Sequence, residues 1–163
     1  MTRGSKITLA IVVVLIAVIL AFRLRYPGKA SLILPAASCN AVLWPHVYQR
    51  ERLHVITECT AVEGHVLGLR RESDGDLHIS LKPDRASVLN PFNVIHGHRT
   101  LVVEIICDHT PADDSAKSAC EDFHPQIHIP RKGDHVRVIG SYVTDGDYGW
   151  NEIHPVSEIQ LLP

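Results

Sequence analysis

Two Asp-Gly pairs constrain the fold of this 163-residue chain more than any other feature. Asp-Gly favours a two-residue hairpin turn, and each pair lies between segments with the composition of β-strands. The pair at 74–75 predicts that a long strand over 58–72 returns as a second strand over 76–82, and TLVVEIIC predicts a third strand over 100–107. The pair at 145–146 joins a fourth strand within 130–145 to a fifth within 149–162. The sequence therefore predicts an all-β domain.

A short helix is predicted between strands three and four. Thr110 can cap its first turn, Pro111 suits the first helical position, and acidic and alanine residues follow in TPADDSAKSACEDF. Three strands, a short helix and two strands form the order of an OB-fold, and Gly64 and Gly68 allow the long first strand to bend. We therefore expect a five-stranded OB-fold-like barrel.

Residues 7–22, ITLAIVVVLIAVILAF, contain no charge and have basic residues on both sides. At ~1.5 Å per residue the run spans roughly 24 Å, enough for a core of ~30 Å if flanking Lys and Arg side chains snorkel and the bilayer thins. We expect one N-terminal transmembrane helix in the inner membrane, and divide the chain into an anchor (1–25), a linker (26–45) and the OB-fold-like domain (46–163). Cleavage as a signal peptide is the alternative, although the charged RLRYPGK follows where a cleavage site needs small residues.

Four cysteines lie outside the apolar run, and none belongs to a C-x-x-C pair typical of zinc or redox sites. Because they are close in sequence, we expect Cys107 to pair with Cys120 and Cys39 with Cys59. Disulfides persist in oxidising compartments, so the C-terminal domain of this single-pass membrane protein is predicted to be extracytoplasmic, in the periplasm. Four unrelated buried thiols in a cytoplasmic domain are the alternative.

The charge distribution bears on the partners of the domain. All eighteen Asp and Glu residues follow position 40, but only eleven of the sixteen Lys and Arg residues do, which gives this part a net charge of 11 minus 18, or −7. Affinity for nucleic acid depends on basic residues that neutralise phosphates. The acidic balance therefore argues against a nucleic-acid partner.

The strand motifs resemble those of a known group of domains. The pattern EGHV, SDGDLHISL, LVVEIIC, PRKGDHVRVIGSYVTD and GWNEIHPVSEI resembles uncharacterised bacterial OB-fold-like domains that have a D-G-D-x-H strand and a closing E-[IL]-H-P-V strand. More remotely, it is similar to small periplasmic bacterial OB-fold proteins with a G-x-x-V-x-V-x-G strand followed by a final E-I-x-x-V-x-x-I strand. The resemblance covers roughly residues 58–161. It implies a barrel, often exported, whose ligand is generally unassigned.

Acidic and histidine side chains recur in three predicted strands. Asp76 and His78 are two residues apart and so share one face, as do Glu152 and His154, while Glu104 is the one charge in TLVVEIIC. Brought together, they could bind a metal ion, with His78, Glu104 and His154 as candidate ligands, or act as general acid and base. A structural role is favoured, in which a carboxylate fixes each imidazole and ties the first hairpin to the last strand. No catalytic residue and no cofactor are assigned, because neither a nucleophile motif nor a phosphate loop accompanies them.

Trp150 directly follows Gly149 and is interpreted as a core residue, or with Tyr148 as a stacking platform for a ligand. His96 and His98, in the predicted connection after strand two, have the same open alternatives of structure, metal or ligand. Pro155 has no amide hydrogen for a ladder, so it predicts a bulge, an edge or the end of strand pairing.

The sequence favours a binding module over an enzyme. We expect a membrane-tethered extracytoplasmic OB-fold that binds a small ligand, a glycan or a protein. The candidate ligand-binding residues are Asp76, His78, Glu104, Trp150, Glu152 and His154. A metal-dependent hydrolase that uses the His, Glu and Asp side chains is the alternative, and a single-stranded nucleic-acid binder is the least favoured class.

Overall fold

The structure is a computed structural model that describes residues 39–163. The transmembrane helix expected within the anchor (1–25) lies outside the described residues, as does most of the expected linker (26–45). Within residues 39–163, none of the helices combines the length and the apolar character needed to cross a bilayer.

Five β-strands dominate the described chain, which confirms the predicted all-β class. They are β1 (Leu53–Arg71), β2 (Leu77–Pro83), β3 (Leu101–Ile105), β4 (His135–Asp145) and β5 (Asn151–Leu161). Each overlaps its predicted segment, although β1 begins well before the predicted start at 58. Residues 39–163 also contain one α-helix, α1 (Pro91–Ile95), and 3₁₀ helices at Ala41–His46, Arg50–Arg52 and Ala86–Val88.

The five strands form a sheet that closes on itself. They are hydrogen-bonded in the order β1-β2-β3-β5-β4, and β4 pairs again with β1. β3 and β5 run parallel, and every other neighbouring pair is antiparallel. The hairpins β1–β2 and β4–β5 turn at the two Asp-Gly pairs, as the sequence predicts. We refer to this arrangement as the closed sheet.

Alternate residues of the strands fill the interior of the closed sheet. The interior cluster consists of Val62, Val66, Leu77, Ile79, Leu81, Leu101, Val103, Ile105, Val136, Val138, Ile153, Val156 and Ile159. Burying apolar surface stabilises a fold by ~25 cal/mol per Å², so this cluster stabilises the closed sheet. Because side chains alternate along a strand, residues such as His78 and Glu104 point to the outer face.

A bulge at His154 and Pro155 changes the register of the β4–β5 pairing. Between Gly140 and Tyr142, two steps along β4 correspond to three steps along β5. Pro155 cannot donate to β4, which accounts for the interruption, and a bulge was among the outcomes predicted for it. A Cβ on Gly140 would lie 2.5 Å from the Ile153 side chain and 2.6 Å from the Pro155 carbonyl oxygen. Glycine at 140 therefore allows β4 to approach the bulge closely.

The prediction of a short helix between strands three and four is wrong. Residues 106–134 form turns and extended chain, and α1 lies instead between β2 and β3. Backbone hydrogen bonds here join residues three apart, from Ala116 to Asp113 and from Cys120 to Lys117. The Asp113 carboxylate accepts hydrogen bonds from the amide and hydroxyl of Ser115. Such local side-chain bonds stabilise a turn at the expense of a helix.

Two segments cover part of the outer face of the closed sheet, and we call residues 41–47 and 106–123 the covering layer. They pack in a second buried cluster of Leu43, Val47, Leu53, Ile106, Cys107, Cys120 and Val143, with Trp44 and Phe123 against it. The two segments also contact each other, because His46 stacks on Phe123 with ring centroids 3.7 Å apart. The end of the expected linker thus belongs to the folded domain, with Leu43 buried.

Both predicted disulfides are confirmed. Cys39 is bonded to Cys59 and Cys107 to Cys120, so no cysteine among residues 39–163 is free. The first bond fastens the start of the described chain to β1, and the second closes a loop within the covering layer. Closing a loop of this size stabilises a fold by ~3 kcal/mol in the chain-entropy treatment. Disulfides of this kind are typical of oxidising, extracytoplasmic compartments.

Candidate functional site: a buried acid–histidine cluster

Four of the predicted site residues meet on the outer face of the closed sheet. Asp76, Glu104, Glu152 and His154 alternate with residues of the interior cluster, so they project away from it. They come together because β2, β3 and β5 are neighbours in the sheet. All four are buried despite this position, with exposed fractions of 2%, 9%, 1% and 0% in that order. We call them the acid–histidine cluster.

His154 lies at the centre of the cluster. Its Nδ1 is 3.0 Å from Oε2 of Glu104 and 3.1 Å from Oε1 of Glu152. Its Nε2 is buried with no hydrogen-bond partner among the described residues, and it lies 3.9 Å from Oδ2 of Asp76. One ring nitrogen therefore contacts two carboxylates, while the other faces a third across a gap too long for a hydrogen bond.

Asp76 is held by the β1–β2 turn and by the covering layer. The Cys107 amide donates to its Oδ1 at 2.8 Å, and its own amide donates to the Asp74 side chain at 3.1 Å. Gly75, between the two aspartates, has a φ of +98°, which glycine adopts without strain. The turn and Cys107 thus fix the carboxylate so that Oδ2 is the oxygen nearest to His154.

His78 lies beside the acid–histidine cluster. It is paired across strands with Glu104, and its Nδ1 is 3.6 Å from one oxygen each of Glu104 and Glu72. These distances exceed a hydrogen bond but allow a charge interaction. Among the predicted metal ligands, Glu104 and His154 are adjacent, and Asp76 takes the place of His78. The ligand atoms of Asp76, Glu104 and His154 lie within 4.8 Å of one another.

Burial and the contacts of His154 set the protonation states in the cluster. Burial lowers the pKa of His154, but Glu104 and Glu152 outweigh it and raise the pKa well above its ordinary value. Burial would raise the pKa of Glu104, but His154 lowers it to about 2. Burial raises the pKa of Asp76 to about 7 and also raises that of Glu152. The dominant ion pair therefore joins the His154 imidazolium to the Glu104 carboxylate.

Trp150 supports the cluster from the β4–β5 turn. Its Nε1–H donates to Oε2 of Glu152 at 3.1 Å, and its ring stacks on Tyr148 with centroids 4.4 Å apart. Arg52, which was not among the predicted site residues, forms an ion pair with the buried Asp145 at the same turn. The Arg52 charge also interacts with the cluster carboxylates. One of the two arginines in the segment RER gives no sequence signal for this role.

An exposed apolar surface lies on the other side of the β4–β5 turn. Phe92 and Ile95 of α1 are 48% and 69% exposed, and Tyr148 of the turn is 60% exposed. The Phe92 ring packs against Gly149, where a Cβ would lie 3.1 Å from it. Asn90, which caps α1, donates to the Gly149 carbonyl at 2.8 Å and so fixes the helix to the turn. We call Phe92, Ile95 and Tyr148 the apolar surface.

Further histidines that could bind a metal ion or a ligand lie outside the acid–histidine cluster. His96 and His98, both candidates from the sequence, are exposed after α1. His65, Asp84 and His135 form a second group whose ligand atoms lie within 4.8 Å, where the middle of β1 meets the start of β4 and the end of β2. Asp84 contacts Nε2 of His135 at 2.9 Å. We call these three residues the exposed trio.

A cavity of about 360 Å³ lies beside the Cys39–Cys59 disulfide. It is lined by Cys39, Asn40, Ala41, Trp44, Val55, Glu58, Cys59 and Ser141. These residues belong neither to the acid–histidine cluster nor to the apolar surface. The cavity is therefore separate from both of these candidate sites.

No protein-family model matches this chain, and no curated protein matches it. The resemblance to OB-fold-like domains rests on the strand motifs alone.

Proposed function

We propose that this chain is a membrane-tethered, extracytoplasmic binding module with an OB-fold-like barrel, and that it recognises a protein partner through the apolar surface beside the β4–β5 turn. The observation that carries the proposal is the contrast in burial between the two groups of site residues. The acid–histidine cluster is closed to solvent, whereas Phe92, Ile95 and Tyr148 are open to it.

The fold and the disulfides support the first part of the proposal. A closed sheet of five strands with a long first strand fits the OB-fold pattern inferred from the motifs. Two disulfides favour export to an oxidising compartment. Residues 7–22 supply an apolar run for the tether.

The covering layer supports binding at the turn rather than on the sheet. In OB-folds, extended ligands usually lie on the face formed by strands two and three and on the neighbouring loops. Here all residues of β3 are buried, and the covering layer packs on the outer face beside it. The β4–β5 turn and α1 remain accessible, so a partner has its best approach there.

The chemistry of the apolar surface favours a protein as the partner. Grouped exposed apolar residues mark interaction surfaces, and aromatic side chains are enriched at the centres of protein interfaces. Small ligands favour concave sites, but the cavity of about 360 Å³ is lined by none of the residues of the apolar surface. The net charge of −7 after position 40 disfavours nucleic acid.

The alternative of a metal-dependent hydrolase has less support. A general acid or base must come within ~2.6–3.2 Å of the proton that it transfers. Glu152 and His154 are closed to solvent, so a substrate could reach them only if the surrounding chain moved. The cluster is better suited to holding β2, β3 and β5 together than to turnover of a substrate.

Site-specific photocrosslinking in cells that naturally contain the protein tests this proposal. A benzophenone amino acid is placed at Tyr148 or Ile95 of the full-length chain. Leu161 is the matched control, because it is an apolar residue that is 54% exposed at the far end of β5. We expect a protein adduct of one defined mass at positions 148 and 95 and none at 161. No adduct at either position, or the same adduct at 161, would contradict the proposal.

A further inference from the structure

Two histidines and an aspartate meet on the outer face of the closed sheet, in the exposed trio of His65, Asp84 and His135. Their ligand atoms lie within 4.8 Å of one another, and solvent reaches all three side chains. We propose that the exposed trio binds one exchangeable divalent metal ion of the zinc class. The trio shares no residue with the apolar surface, so this inference does not depend on the proposed function.

The sheet holds the three side chains of the trio at fixed positions. His65 in β1 lies directly opposite His135 in β4, and Asp84 follows the last residue of β2. The Asp84 amide donates to the Glu63 carbonyl at 2.9 Å, and the His135 carbonyl accepts from the Leu162 amide at 2.8 Å. Side chains placed by strands in this way give a binding site more precision than side chains on loops.

The imidazoles of His65 and His135 are stacked on each other. Their ring centroids are 4.4 Å apart, and the angle between the ring planes is 16°. Zinc bonds to nitrogen and oxygen ligands at ~2.0–2.2 Å, so two ligand atoms on one ion are about 3–4 Å apart. Because the two ring nitrogens lie within 4.8 Å, small rotations of these side chains would bring them to that separation.

Asp84 supplies the third ligand atom. Its Oδ2 is 2.9 Å from Nε2 of His135, close to the separation of two ligands on one ion. A carboxylate only accepts hydrogen bonds, so Nε2 carries the hydrogen in this contact. Because metal ligands must be deprotonated, this hydrogen passes to Nδ1 or to solvent when the ion binds. The ion then takes its place between Nε2 and Oδ2.

The acid–histidine cluster does not offer this arrangement. Glu104 contacts Nδ1 of His154, whereas Asp76 lies on the Nε2 side of the same ring. One ion bonded to a single nitrogen of His154 therefore lies away from one of the two carboxylates. The cluster is also closed to solvent, whereas an ion can reach the exposed trio directly.

The donor set of the trio selects the class of metal. Imidazole nitrogen suits zinc and other transition metals, whereas Mg²⁺ and Ca²⁺ prefer oxygen ligands. Three protein ligands leave at least one position on zinc for water, so the ion should exchange with solvent. The nearby Arg137 is paired with Glu63 at 3.9 Å, and Lys82, opposite His65 on β2, is exposed. A lysine on a flexible stem can move its charge away from the ion.

Zinc titration of the full-length chain tests the site. The chain is purified in detergent without a polyhistidine tag and is first treated with a chelator. Isothermal titration calorimetry should show one Zn²⁺ ion per chain, and the melting temperature should rise with Zn²⁺ but not with Mg²⁺. His65→Gln and His135→Gln should each weaken binding more than roughly tenfold, because loss of even a supporting residue typically costs ~10–100-fold. Both variants should melt like the unmodified chain in chelator, since surface changes cost little stability.

His96→Gln is the matched control, because it removes an exposed imidazole outside the trio. Zinc binding should survive this change, and in NMR spectra Zn²⁺ should shift the ring signals of His65 and His135 but not those of His96. Absence of saturable zinc binding would overturn the inference. Unchanged affinity in both His65→Gln and His135→Gln, or an equal loss in His96→Gln, would overturn it as well and place the ion elsewhere. Should His135→Gln fail to melt cooperatively in chelator, Asp84→Asn serves as the second ligand variant.

Discussion

At the scale of single residues, His154 determines how well the buried carboxylates are tolerated. Its replacement leaves Glu104 and Glu152 buried without their shared partner. Removing one member of a buried ion pair typically costs ~3–5 kcal/mol. We therefore expect His154→Ala to lower the free energy of unfolding by that amount, measured by urea denaturation.

His128→Ala is the control for this variant, since His128 is exposed. It should change stability by no more than ~0.5 kcal/mol. An unchanged or raised stability of His154→Ala, together with loss of a bound ligand, would contradict the structural role. It would show that His154 serves ligand binding and lowers the stability of the fold.

Trp150 allows the contribution of a single hydrogen bond to be isolated. Trp150→Phe keeps an aromatic ring to stack on Tyr148 but removes the Nε1–H that donates to Glu152. Because hydrogen bonds to charged groups are worth ~1.5–3 kcal/mol, we expect a loss in this range by thermal denaturation. Tyr148→Phe, on the exposed partner ring, should be nearly neutral. An equal loss in Tyr148→Ala, which removes the stacked ring but leaves the Nε1–H of Trp150 in place, would assign the effect to ring packing instead.

The sequence predicted the members of the cluster better than their contacts. Alternation along a strand correctly placed Glu152 and His154 on one face, where they are 3.1 Å apart. It could not identify Glu104, at 3.0 Å, as the closest partner of His154. That contact depends on β3 and β5 being parallel neighbours, which is a property of the strand order and not of either strand. For the same reason Asp76, and not His78, is the third acidic or histidine side chain beside the His154 ring.

At the scale of elements, the bulge in β5 depends on a glycine in β4. A methyl group at Gly140 would overlap the Ile153 side chain and the Pro155 carbonyl oxygen, and the latter belongs to the backbone and cannot rotate away. Overpacking of this kind costs ~1–3 kcal/mol, so we expect Gly140→Ala to lower the melting temperature clearly.

Gly68→Ala is the matched comparison for that variant. Gly68 is also a strand glycine, in β1, and a Cβ there would meet nothing within 4 Å. It should be neutral or slightly stabilising, because alanine restricts the unfolded chain. If both variants lowered the melting temperature by similar amounts, the loss of stability would come from adding a side chain to a strand and not from contact with the bulge.

The strands were predictable and the helix was not, for a physical reason. Strand patterns and Asp-Gly turns are local signals, and they identified all five strands. The helical signals of residues 110–123 are equally local, but they compete with an Asp113 side chain that bonds to Ser115 and with a Cys107–Cys120 bond that closes the loop. The start signals that did form a helix, Asn90 followed by Pro91, lie in a segment predicted as a connection.

At the scale of the whole molecule, the covering layer was the feature least accessible from the sequence. The predicted linker (26–45) rests on the Pro, Gly and Ser residues of RYPGKASLILPAAS, which ends before residue 41. Packing of Leu43 and Val47 against Ile106 and Val143 joins segments that are far apart along the chain. No local pattern reports such a contact. The confirmed disulfides were predictable because each pair is close in sequence, separated by 20 and 13 residues.

The final prediction concerns the topology of the full chain, namely the side of the membrane on which the disulfide-bonded part lies if residues 7–22 anchor it. Two disulfides need an oxidising compartment, so the chain after residue 38 should be exported. Alkaline phosphatase, which is active only after export, should therefore be active when fused after Pro163, and deletion of residues 7–22 should abolish that activity. A stable but inactive fusion, with a fluorescent cytoplasmic reporter active at the same position, would reverse the orientation. Because a reducing cytoplasm would then keep the four cysteines as thiols, peptide mapping by mass spectrometry without reductant would detect neither disulfide, which checks the orientation independently of the fusions.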